Sequence, residues 1–143
     1  MGVKLGTAVT TVVALLLGMV LTADAASIRV KCEKRANRSK ISVDGFDLSP
    51  ANGQFTARVT SPVAGGQTQT ATKNAVLGEA EFDFDSDAGD IAAPPAGEGA
   101  TPIGVNFITI TAGPNNDVKG EIFSGATATG TAVVSSSVDC RQK

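Results

Sequence analysis

From Ser27 to the end of the chain, apolar residues recur at every second position in short runs, and this constrains the fold more than any other feature. "SIRVKC" sets Ile28, Val30 and Cys32 against Arg29 and Lys31, and "KISVDGF" sets Ile41 and Val43 against Ser42 and Asp44. "QFTARVT" does the same with Phe55, Ala57 and Val59 against Thr56, Arg58 and Thr60. A period of two belongs to a strand with one buried face, because successive Cβ atoms of an extended chain point to opposite sides. The pattern returns in "EAEFDFD", "DVKGEIF" and "TAVVSSSVDC". "IGVNFITIT" is apolar on both parities and reads as a central strand covered on both faces. "TQTATK" and "SGATATGTA" are low in bulk and fit either edge strands or loops.

Between the runs stand "SPANG", "VAGGQ" and "AGPNND", in which Pro fixes φ and Gly and Asn tolerate positive φ. Seven or eight short strands with turn signals between them predict an all-β fold: an antiparallel, immunoglobulin-like β-sandwich, with a small β-barrel as the alternative. The exception is the 17-residue segment 86–102, rich in Ala, Gly and Pro, whose only large apolar group is Ile91. A connection of that length is expected either to cross between the two sheets or to carry function.

The first 25 residues follow a different logic. Lys4 precedes an apolar stretch from about Leu5 to Leu21, and Ala23-Asp24-Ala25 has the small-x-small form of a cleavage site. That order predicts a signal peptide over 1–25; a retained anchor is the weaker alternative, because Gly18 and several threonines interrupt the run. Removing residues 1–25 from the 143 leaves 118, enough for a single sandwich domain with a modest core and no membrane span. The expected location is secreted or periplasmic, including the cell surface. In such an oxidising compartment the only two cysteines, Cys32 and Cys140, are expected to form a disulfide that brings the first and last strands together.

Net charge is only −2, yet the charges are segregated. Six cations and one anion lie between Arg29 and Lys40, while seven anions and no cation lie between Glu79 and Glu98. On an extended "LGEAEFDFDSDAGD", Phe82 and Phe84 face inward and Glu79, Glu81, Asp83, Asp85 and Asp87 line the other side. Three arrangements would tolerate that row: exposure to water, pairing with Arg29 and Lys31, or a metal ion. Side chains on one strand face stand roughly 7 Å apart, too far to share one ion, so chelation is expected only where the strand ends. A calcium site would there use Asp85, Asp87 and Asp90, although Ala88 and Pro94 stand where an EF-hand loop starting at Asp83 needs Gly and Glu. The basic run lacks interleaved aromatic residues, which argues against nucleic acid.

Catalysis is not expected. The chain has no histidine, Tyr or Trp, both cysteines are assigned to the bridge, and nothing isolates one carboxylate pair from the acidic cluster. No resident cofactor is implied. The sequence therefore predicts an exported, non-catalytic structural or interaction module that acts on another protein or on itself through sheet edges or charged faces. The alternative is a small ligand- or calcium-binding domain using the acidic strand exit at 83–90.

Overall fold

A computed structural model describes residues 24–62, 66–110 and 117–143. The leader expectation thus falls outside the described residues except for its last two positions. Among the described residues no helix is long and apolar enough to cross a membrane.

The described residues form nine strands and one short helix: β1 (Ser27–Arg35), β2 (Arg38–Phe46), β3 (Gln54–Thr60), β4 (Thr68–Asn74), β5 (Ala80–Asp85), α1 (Ala88–Ile91), β6 (Thr101–Pro102), β7 (Asp117–Ser124), β8 (Val134–Asp139) and β9 (Arg141–Gln142). Two sheets result, a five-stranded one ordered β6-β5-β2-β1-β9 and a four-stranded one ordered β4-β3-β7-β8. They form a β-sandwich and do not close into a barrel, which rules out the barrel alternative. Every expected alternating run is a strand, and the two extra strands are two-residue pieces at the edges of the first sheet.

The alternation works as the spacing requires. Val30, Cys32, Ile41, Val43, Phe82 and Phe84 of the five-stranded sheet meet Phe55, Ala57, Val59, Val118 and Ile122 of the other across the core. Phe55, Phe82, Phe84, Ile41 and Ile122 are wholly buried, each contributing about 2 kcal/mol of apolar burial before entropy is charged against it. Gly120 is needed for this close approach: a Cβ there would stand 2.6 Å from Val30 Cγ2.

"IGVNFITIT" departs from the expectation. Only its preceding residues, Thr101 and Pro102, are extended, and 103–110 form no strand although Ile103, Phe107 and Ile108 are buried. The segment does not need a ladder because side chains satisfy its backbone. Ser39 Oγ donates to the Val105 carbonyl at 2.6 Å and accepts from the Ile108 N–H at 3.3 Å, and Ser61 Oγ donates to the Phe107 carbonyl at 2.5 Å. Buried peptide groups demand partners, and two buried serines supply them here.

Nor does the 86–102 segment cross between sheets. It leaves β5 and returns beside it, with the Ile103 N–H bonded to the Asp85 carbonyl at 2.9 Å. Its interior is tied by bonds from the Glu98 and Ala100 N–H groups to the Asp90 carbonyl.

Cys32 and Cys140 are joined by a disulfide, with their Cα atoms 4.6 Å apart. Beyond Cys140 the chain leaves the four-stranded sheet and runs as β9, parallel to β1, in the other. The expected meeting of first and last strands is what the fold shows.

Candidate functional site

The outward side chains of β1, β2 and β5 form cross-strand rows on one sheet face. Register places Arg29, Asp44 and Glu81 in one row, Lys31, Ser42 and Asp83 in the next, and Glu33, Lys40 and Asp85 in the third. Within the first row Arg29 Nη2 holds Asp44 Oδ2 at 2.7 Å, and Lys31 Nζ lies 4.0 Å from the same oxygen. Of the three arrangements that would tolerate the acidic row, pairing with Arg29 and Lys31 is therefore not the one adopted. β2 separates β1 from β5, and Asp44 on β2 takes those cations first.

The acidic strand exit is served by Arg38 and Lys40 instead. Arg38 bonds Asp85 through Nε at 2.9 Å and Nη2 at 2.5 Å, and its Nη2 also bonds Asp90. Lys40 Nζ lies 3.2 Å from Asp90 and 3.0 Å from Glu98. These contacts fasten the 86–100 excursion onto the sheet. They also correct the picture of an evenly wet acidic face, since the Asp85 side chain has 0% exposure. Burial alone would raise the Asp85 carboxyl, but bonds from Arg38 and from the Asp87 N–H hold it below its ordinary value.

Asp85, Asp87 and Asp90 do come together at the strand exit. Two of them embrace the Arg38 guanidinium, and Asp87 caps α1 by accepting from the Gly89 N–H at 2.8 Å. Among the described residues, no group of three or more His, Cys, Asp or Glu side chains is arranged to hold a metal ion.

Glu79, Glu81 and Asp83 differ from Asp85, since no ion pair reaches them among the described residues. Beside them, over Lys31, Lys40, Ser42 and Asp83, runs an open trough of about 820 Å³ bounded by Glu98 and Arg141. Just before β5, Val76 and Glu79 exchange backbone bonds of 2.8 and 3.0 Å across a two-residue turn. Its central residues, Leu77 (φ 53°) and Gly78 (φ 84°), are both left-handed. Such primed turns favour Asn or Gly, so a leucine at φ > 0 that is 84% exposed is an outlier. The alternation of neighbouring runs gave no signal for it.

The sandwich has two unlike sides. On one, β8 runs alongside β1, and both the disulfide and the passage into β9 bridge the sheets. On the other, β4 is a seven-residue edge strand with no proline and a single charge, Lys73. The bonds from Ser61 N–H to the Gln67 carbonyl and from Ala75 N–H to the Gly53 carbonyl, both 2.8 Å, fix the phase of the β3–β4 ladder. Odd-numbered β4 residues bond to β3, so alternation turns the N–H and C=O of Thr68, Thr70, Thr72 and Asn74 outward. Thr70 fits this phase: its N–H bonds the side chain of Gln69 at 3.1 Å, whose Nε2 reaches the Pro102 carbonyl at 2.9 Å. Natural edges are commonly blunted by charge, proline or bulges, and the middle of β4 has none of these.

The outer face next to β4 is covered from within. Residues after β7 fold back so that Thr56 Oγ1 donates to the Gly125 carbonyl at 2.8 Å, and Phe123, although of outward parity, is buried beneath Arg58. No protein-family model, curated protein or solved structure matches the chain.

Proposed function

We propose that this chain is an exported, non-catalytic interaction module of immunoglobulin-like type that engages a protein by strand addition at β4. The observation that carries the reading is the outward row of backbone groups from Thr68 to Asn74, on the side of the sandwich opposite the disulfide. Main-chain bonding at such an edge gives affinity, and alternate side chains give selectivity. The immunoglobulin-like assignment is supported by strand order: β5-β2-β1 in one sheet and β4-β3-β7-β8 in the other. Export is supported by the leader pattern of residues 1–25 and by a disulfide compatible with an oxidising compartment. The absence of histidine supports a non-catalytic role.

A photo-crosslinking residue at Thr68 in the native host tests this. A crosslinked product of defined mass is expected. It should be lost when Thr70→Pro removes an outward N–H without touching the β3 ladder. No crosslinked product, or one indifferent to that proline, would sink the edge reading.

The trough, to which the strand exit 83–90 contributes Asp83, favours a second reading, a small-ligand- or calcium-binding domain. Thermal melts with millimolar calcium and with chelator separate the two, since an edge module melts identically in both.

A further inference from the structure

We infer that the partner at β4 is a second copy of this chain, joined antiparallel about a two-fold axis at Ala71. The inference rests on the edge reading above and specifies its occupant.

Register carries it. A two-fold antiparallel pairing forms a ladder only if outward residues meet outward residues, and in β4 these are the even-numbered ones. Centring the pair on Ala71 sets Thr70 opposite Thr72 and Thr68 opposite Asn74, so every outward N–H and C=O of the strand gains a partner in the other copy. Sliding the axis to Thr70 or to Thr72 strands one end of the row. The central register also suits the side chains. Thr–Thr pairs are favourable cross-strand neighbours, and Lys73, the only charge on the strand, falls opposite Gln69 rather than opposite its own mate. The Thr70 N–H exchanges its contact with Gln69 for a backbone carbonyl of the partner copy.

The fold also limits the assembly. A two-fold contact uses the same edge from both copies, and the opposite side is already bridged by the disulfide and β9. The result is a closed dimer whose two four-stranded sheets run on as one, not a fibre. Because β4 carries so little charge, salt should not disperse it, whereas pairing between the charged faces would weaken in salt.

Sedimentation of the purified protein from micromolar to millimolar concentration should show the mass rising to twice that of one chain, equally at low salt and in 1 M salt. Thr70→Pro should weaken association at least tenfold while leaving the circular dichroism spectrum unchanged. If that variant fails to fold, a cysteine pair gives the same answer: a mixture of separate Thr70→Cys and Thr72→Cys proteins should link into a disulfide dimer faster than Thr70→Cys alone. A monomer at every concentration overturns the inference, as does dissociation in salt or equal linking in the mixture and the single variant. A monomer in sedimentation together with a Thr68 crosslink to a different protein overturns the second copy and leaves the edge reading standing.

Discussion

Asp85 is a carboxylate with no exposure whose charge is met by Arg38 and the Asp87 N–H. Removing the cation strands a buried anion, so Arg38→Met should lower unfolding free energy by about 3 kcal/mol in denaturant titration. Replacing both partners with apolar residues should recover most of that loss. The pH dependence follows from the sign of the shift. The folded carboxyl sits below its ordinary value, so its contribution is complete above about pH 4 and is lost as pH falls through the folded value. Asp85→Asn should therefore flatten the acid limb of a stability-against-pH curve and lower stability at neutral pH; an unchanged acid limb would show that Asp85 does not set it. Asp117 behaves oppositely. It stands opposite Asp139 across β7 and β8, and hydrogen bonding with that carboxyl raises it above its ordinary value. Deprotonation on raising the pH thus works against the fold, and Asp139→Asn should raise Tm at pH 7 but not at pH 3. Neither behaviour was legible in the sequence. Which carboxylate is buried depends on strands far apart in the chain: water, Arg29 and Lys31, or a metal were all compatible with the pattern, and Arg38 and Lys40 are the cations that meet the acids.

At the scale of elements, what could be read was what a period of two encodes. β1, β2, β3, β5, β7 and β8 each present one apolar parity, and each is a strand. The run at 103–110 misled because continuous apolar character records burial without recording backbone geometry, and Ser39 and Ser61 remove the need for a ladder. The Leu77 turn was missed for a related reason. Asn-Gly or Asp-Gly announces a primed turn, whereas Leu-Gly does not. Leu77→Asn should relieve the left-handed strain and raise unfolding free energy by about 1 kcal/mol in denaturant titration. A loss of stability would mean that Leu77 makes a contact that offsets its backbone.

For the whole molecule, two cysteines near opposite ends of the strand array predicted both the bridge and the adjacency of first and last strands. The bridge spans a sequence separation of 108, so Cys140→Ser should cost about 4 kcal/mol on the chain-entropy estimate, read as a lower denaturation midpoint. The unequal sides of the sandwich, by contrast, were out of reach of local pattern. β4 reads as a low-bulk strand and β8 as one with a single apolar parity, and neither pattern tells that the chain passes through Cys140 into β9 on one side and leaves β4 at an edge on the other. The same bridge has a mechanical consequence. Tension applied at the two ends enters at β1 and β9 and passes directly between the sulfurs, so the hundred-odd residues between them carry none of the load. Tethered at both ends in a stretched array, the domain would behave as a short inextensible link.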